Sequence, residues 1–285
     1  MWIRNPAEWG AVQIAASGHA LRSIGRAMFR PDVDKSLAPQ VRRISFADLR
    51  NALGQGFDDF LFFRDDVIFI CLIYPAVGLA LTWAISHSHA LPLLFPVFAG
   101  FALIGPFAAV WLYEMSRRRE RGEKANWIDG FKAFASQSAA EIFKLGLLLI
   151  AIYGLWILAA WKIYVLTIGP EMPASLTSLT SNVFTTHAGW TMIAVGCGVG
   201  FIFALVVFAI SVVSFPLLLD RKVTIFTAIA TSIRACEANP GPMLAWGLII
   251  ATGLALGMLS ALTALIVVLP VLGHATWRLY RKVVV

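Results

Sequence analysis

At 285 residues, with 59% hydrophobic and only 14% charged side chains and a mean hydropathy of +0.77, the chain lies far from a soluble domain, which is about 45–50% apolar and about 25% charged. A water-soluble core is excluded. The net charge of +7 calls for no nucleic acid, because basic residues of a membrane protein collect at cytoplasmic loops and anionic headgroups.

Residues 1–43 read as a basic cytoplasmic tail. The start has no continuous apolar run with a small-residue cleavage site, so the first span is expected to serve for insertion. Leu21, Ile24 and Met28 share one helical face while Arg22, Arg26 and Arg30 recur at fourfold spacing. That pattern fits either a helix lying on the membrane and stopped by Pro31, or a solvated tail. A membrane domain is expected over 44–285.

Phe46, Leu49, Leu53, Phe57 and Phe60 predict the apolar face of an amphipathic leader helix, with Asp48, Arg50, Gln55 and Asp58 on its other faces. Span 1 follows Arg64-Asp65-Asp66 and runs from Val67 to about Ile85. After the uncharged Ser86-His87-Ser88-His89 turn, span 2 runs from Leu91 to about Tyr113, with Pro96 and Gly105-Pro106 as kinks. The charged stretch Glu114 to Arg121 is a stop-transfer signal.

A second leader covers Trp127 to Phe143, with Ile128, Phe131, Ala135 and Ile142 on one face and Asp129, Lys132, Gln137 and Glu141 elsewhere. Span 3 is Leu145 to Trp161; a loop without basic residues, 167–189, leads to span 4 within 191–219. The third leader lines up Phe226, Ile229 and Ile233, with Thr227, Thr231, Arg234 and Glu237 outside, and ends at the corner Asn239-Pro240-Gly241-Pro242. From Met243 to Leu272 there is no charge, about 45 Å of helix at 1.5 Å per residue and more than one crossing needs. A hairpin near Ser260 to Thr263 accommodates it; the alternative, a single fifth span, exports the basic residues at the C terminus.

These elements predict an all-α polytopic membrane protein of about six transmembrane helices in three hairpins, each preceded by an amphipathic helix at the cytoplasmic interface. Lys and Arg concentrate in the tail, the 114–132 loop, the 220–239 segment and the C terminus, with Lys162 the clear exception. Both termini are therefore expected to be cytoplasmic, in a bacterial inner membrane. Leader spacings of roughly 82 and 98 residues suggest repeats at 44–121, 127–222 and 223–285, although generic entry helices without duplication fit the same spacing.

The centres of these spans carry no ionisable residue, which counts against a proton-coupled pump. Asp65, Asp66, Glu141, Lys144, Asp220 and Arg221 all fall at the cytoplasmic boundary. His87, His89 and His187 belong to external loops, where they either converge on a metal or are simply polar; no metal is expected. Cys71, Cys197 and Cys236 lie too far apart in sequence to suggest a Cys motif. Gly196-x-x-x-Gly200 and Gly253-x-x-x-Gly257 suit internal helix packing. No phosphate loop, GxSxG or HExxH is present, so enzymatic chemistry and a cofactor are not expected.

On a helix, His274, Trp277, Arg278 and Arg281 share a face, placing one imidazole, one aromatic plate and two guanidinium forks at headgroup depth. Two readings fit: a site for an anionic headgroup, or an aromatic and basic interfacial anchor.

The layout of leaders and hairpins over Val41 to Lys282, with the stretches SIRACEANPGPMLAWG and LPVLGHATWRLYRK, resembles a bacterial family of six-span integral membrane proteins of unknown function. Some of its members are labelled cytochrome c oxidase subunit I. The resemblance implies no activity for any residue, and that oxidase label fails on inventory: it needs about a dozen spans and several intramembrane histidines. The expected role is that of a non-enzymatic accessory or scaffold component. Its expected partners are the lipid bilayer, anionic phospholipid headgroups and other membrane proteins. A transporter or lipid-handling protein is the alternative, and a redox subunit a third.

Overall fold

Apart from one isolated β-bridge, every regular element among the described residues of the computed structural model, 39–86 and 90–285, is helical. That follows from the composition, because a backbone in lipid must satisfy its own hydrogen bonds. The surface-helix reading of Leu21 to Arg30, and His87 and His89, lie outside the described residues.

The elements in order are α1 (Phe46–Phe62), α2 (Arg64–Cys71), α3 (Ile73–Ser86), α4 (Leu94–Ala108), α5 (Val110–Glu120), α6 (Trp127–Phe131), α7 (Ala139–Thr167), α8 (Leu176–Thr185), α9 (His187–Ser211), α10 (Ser214–Asp220), α11 (Ile225–Ala238), α12 (Pro240–Leu259) and α13 (Leu265–Val283). Short 3-10 turns precede α4 and follow α6. Four stretches among the described residues are long and apolar enough to cross a membrane: Leu91–Glu120, Ala139–Thr167, His187–Asp220 and Pro240–Leu259.

Prolines divide the expected spans. Span 1 is two helices rather than one, α2 and α3, parted at Leu72. Pro75 has no N–H to offer the Cys71 carbonyl four residues back, so the helix breaks there. Likewise α9 and α10 part at Val212 and Val213, four and three residues before Pro216. The Ser232 hydroxyl of α11 accepts from the freed Val213 N–H at 3.2 Å, tying the break to the third leader.

The three leaders begin alike. Ser45 accepts from the Asp48 N–H, and Asp48 accepts from the Ser45 N–H. Asn126 and Asp129 repeat that exchange at α6, and Thr224 accepts from the Thr227 N–H at α11. Each such cap is worth about 1 kcal/mol of helix stability. Four residues past each cap lies a buried residue, Leu49, Gly130 or Ala228; seven past lies another, Ala52, Ala133 or Thr231.

The leader faces sort by residue size in one consistent way. Phe46, Phe57, Ile128, Phe131, Phe226 and Ile233 are exposed, whereas Ala52, Gly56, Ala133, Ala228 and Ala235 are buried. Of the residues on the predicted apolar faces, Leu49, Phe60 and Ile142 are buried. Between helices in lipid, small residues gain close packing, while large apolar side chains lose nothing by facing acyl chains. The small residues thus lie on the inward side of the leaders, on α1 together with Leu49 and Phe60.

The long uncharged stretch turns back on itself. Residues 260–264 form a turn in which Ala261 and Leu262 take positive φ of 51° and 69°, and α13 returns along α12. Gly257 and Gly253 lie against the side chains of Leu265, Val268 and Leu272, so this Gly-x-x-x-Gly pair serves internal packing. In the other pair, Gly200 meets the Trp156 ring while Gly196 meets nothing.

Both ends of the described chain are pinned together. Arg42 N–H donates to the Val283 carbonyl at 2.8 Å, and Val285 N–H to the Gln40 carbonyl at 3.0 Å. Buried Asn239, at the corner between α11 and α12, accepts from Ile44 N–H at 2.7 Å and donates to the carbonyls of Arg42 and Ala235 at 3.1 Å each. This Asn holds the entry to α1 against the end of α11. Residues 39–43 are consequently part of the packed unit.

Candidate functional site

The site begins with α1 lying along α13, the most extensive helix pairing in the fold. The approach is close because α1 offers Ala52 and Gly56: a Cβ on Gly56 would lie 2.5 Å from the Ala275 nitrogen and Cβ and 2.6 Å from its Cα. One helical turn after Gly56, the same face carries Asp59, only 1% exposed.

An unpaired carboxylate at that depth would be intolerable. Asp59 is instead surrounded by donors. Arg278 of α13 grips it with a fork, Nε to Oδ2 and Nη2 to Oδ1, both at 2.8 Å. Arg119 of α5 donates from Nη1 to Oδ1 at 2.5 Å, and the Ser116 hydroxyl donates to Oδ2 at 2.8 Å. Burial alone would raise the Asp59 pKa; the Arg278 hydrogen bonds and charge and the Ser116 hydrogen bond outweigh it and hold the carboxyl below the usual range.

Ser116 Oγ also lies 2.7 Å from His274 Nδ1. Its one proton goes to the carboxylate, so Nδ1 carries the hydrogen and donates to Ser116, leaving Nε2 as a bare lone pair. That nitrogen is buried and has no hydrogen-bond partner. The imidazole stacks on Phe63, centroids 5.8 Å apart with planes 22° off parallel. Phe63 is the single residue between α1 and α2. On the outer side, the Arg119 guanidinium sits 4.4 Å over the Phe62 ring.

A second, more open group continues the clamp. Trp277 Nε1 and Arg281 Nε each donate to Glu120 at 3.0 Å. Tyr280 OH donates to Asp220 at 2.8 Å, and Arg281 Nη1 reaches Asp220 at 3.3 Å. Burial, then the Asp220 charge, push the Tyr280 hydroxyl pKa far up, so it remains a proton donor. Nearby, Glu114 is 2% exposed and is held by Arg117 and Arg118 of its own helix; Arg117 also donates to the Leu219 carbonyl at 3.0 Å.

His274, Trp277, Arg278 and Arg281 thus stay on one end of α13 but divide between two carboxylate groups. His274 and Trp277 are 0% and 1% exposed, and the guanidinium forks are engaged by Asp59, Glu120 and Asp220. An external headgroup anion would have to displace these internal ones. His187 is exposed at the start of α9; whether it meets His87 and His89 falls outside the described residues. The reading from sequence missed Asp59, Ser116, Arg119 and Glu120. One signal was present: Asp59 lies on the same helical face as Ala52 and Gly56.

Chemically the arrangement is a closed ion network in which Asp59 takes hydrogen bonds from Arg278, Arg119 and Ser116. Ser116 bridges the carboxylate and the imidazole, so no base stands free to activate its hydroxyl, unlike a nucleophile relay in which histidine is the bridge.

Residues 93–220 match the family model described as predicted integral membrane protein (DUF2189), a family of unknown function. The match spans α4 to α10 and excludes the stretches 232–247 and 269–282 that carry the resemblance read from the sequence. No match was found among curated proteins or among solved structures.

Proposed function

We propose, for an integral membrane protein whose residues 93–220 carry this family match, a non-enzymatic role as an accessory or scaffold component of the bacterial inner membrane. One observation carries the reading: the cytoplasmic-end ion pairs are spent internally, while Phe46, Trp127, Ile128, Phe131 and Phe226 face outward from the leaders. What such a molecule offers its surroundings is a perimeter for lipid and neighbouring membrane proteins. Purification of the full chain in mild detergent should recover specific membrane proteins together with lipid. Recovery of the chain without any protein partner would overturn the scaffold role.

A second reading has its own observation. An open apolar groove of about 550 Å³ lies between α12 and α13 beside Phe57, lined by residues such as Leu248, Leu256, Val267 and Val271. That lining suits an acyl chain, which supports lipid handling; a lipid species retained through delipidating washes, with no protein partner, would favour it.

In this proposal the chain crosses six times. The broken α2–α3 pair and the first half of α13 join the four long apolar stretches, and both termini lie in the cytoplasm. The positive-inside distribution supports this orientation. A reporter active only outside the cytoplasm should be active when fused at Ser178 and silent at Ala125; activity at Ala125 would overturn the orientation.

A further inference from the structure

We propose that the cluster of Asp59, Ser116, Arg119, His274 and Arg278 is an acid-opened latch, in which a proton on His274 releases leader α1 from α13 and α5. The inference does not rest on the scaffold or lipid-handling reading.

The geometry is that of a joint. Three elements meet at the cluster: α1 through Asp59, α5 through Ser116 and Arg119, and α13 through His274 and Arg278. Beyond it, α1 is connected to the next helix only through Phe63, a lone non-helical residue with φ −100° and ψ 10°. That residue is the one stacked on His274. The hinge and the titratable group are therefore in contact.

The charges facing His274 decide the direction. From α1 comes one anion, Asp59; from α5 and α13 come two cations, Arg119 and Arg278. Of the other carboxylates of these elements, Glu114 pairs with Arg117 and Arg118, Glu120 meets Trp277 and Arg281, Asp48 pairs with Lys282, and Asp58 is exposed on another face of α1. From α2, Arg64 and Asp65 pair with each other in solvent, and from α10 Asp220 serves Tyr280. A proton on Nε2 would add a second net positive charge to a buried group, on a nitrogen that has no hydrogen-bond partner in the closed arrangement. It would be solvated only once α1 moves away.

Burial accordingly pushes the His274 pKa down, to about 4; the Asp59 charge opposes this, Arg278 and Arg119 reinforce it, and the Leu112 backbone weakly opposes it. A group with a folded pKa depressed from 6.5 favours the closed form fully above 6.5, and progressively less as pH falls toward 4. Between pH 7.5 and 5 the closed-to-open ratio should fall on the order of 30-fold. The carboxyl of Asp59, already below its ordinary range, stays ionised there and takes no part in the change.

Hydrogen–deuterium exchange of the full chain in phosphatidylethanolamine and phosphatidylglycerol nanodiscs tests this, with exchange times scaled for the intrinsic pH dependence. Protection over 46–62 should drop on the order of 30-fold between pH 7.5 and 5, while 225–238 holds. His274→Asn, which can still donate to Ser116, should keep protection at pH 7.5 and lose the drop. An unchanged wild type, or the same drop in His274→Asn, would overturn the latch. Should that variant misfold, exchange at the His274 ring carbon in the wild type reads its protonation directly. Protonation coincident with loss of protection over 46–62 supports the latch; ordinary titration with 46–62 still protected overturns it.

Discussion

Asp59→Ala should cost about 3–5 kcal/mol of stability, because it strands Arg278 and Arg119 in a buried group without their anion. Removing one partner of a buried pair is far worse than removing both, since the survivor keeps its desolvation cost without its attraction. Four donors would be left at once: both nitrogens of the Arg278 fork, Arg119 Nη1 and the Ser116 hydroxyl. Asp59→Asn should recover only part of the loss, as it keeps the shape but not the charge. Reversible unfolding by SDS titration of the purified protein measures the effect. The control is Lys144→Ala, whose partner is Glu141 and whose side chain is 62% exposed; a pair of that kind is worth about 0–1 kcal/mol. If Asp59→Ala lies within about 1 kcal/mol of wild type, the cluster does not hold the leader.

Gly56→Leu should be comparably damaging by a different route. A Cβ at position 56 meets Ala275 backbone atoms at 2.5 and 2.6 Å, and backbone in a helix cannot swing aside as a flexible side chain would. The α1–α13 contact has to open, and Asp59 is drawn away from Arg278 one turn further along. Overpacking of this sort costs about 1–3 kcal/mol for small additions; the loss of the ion cluster adds to it in Gly56→Leu. Position 54, two residues earlier on the same helix, meets nothing within 4 Å. Gly54→Ala should be neutral or stabilising by up to about 1 kcal/mol, the ordinary helix preference for Ala over Gly. The paired experiment is sharp: equal stability of Gly56→Ala and Gly54→Ala would show that the crossing does not depend on the missing Cβ.

Much of the framework is readable without tertiary information. Composition excludes a soluble fold, and the apolar runs place the long helices α7, α9 and α12 close to where they lie. The turn at 260–264 follows from length alone, since 243–272 is too long for one crossing. Pro75 and Pro216 mark the breaks after Cys71 and before Ser214. The N-caps Ser45, Asn126 and Thr224, found in the structure, follow the ordinary preference for polar residues at helix starts.

The inward direction of the leaders was not legible. Periodicity separates one face of a helix from another, but which face a bundle takes depends on what lies opposite. In water the answer is the large apolar face; in lipid both faces can be apolar, and closeness of approach selects Ala52, Gly56 and Ala228 instead.

What the sequence by itself determined is the course of the long apolar helices, the turn between the last two, and membrane residence, because each depends on transfer of a contiguous segment into lipid; the breaks in span 1, span 4 and the second leader emerged only in the fold. What only the tertiary structure decided is the use made of the charged end of α13. His274 and Arg278 fitted either a headgroup site or an interfacial anchor; in the fold the anion that Arg278 meets is Asp59, 219 residues away. No local pattern records a pairing across that separation. It exists because Gly56 lets two helices touch, and a carboxylate buried by that contact must find its counter-charges inside the protein.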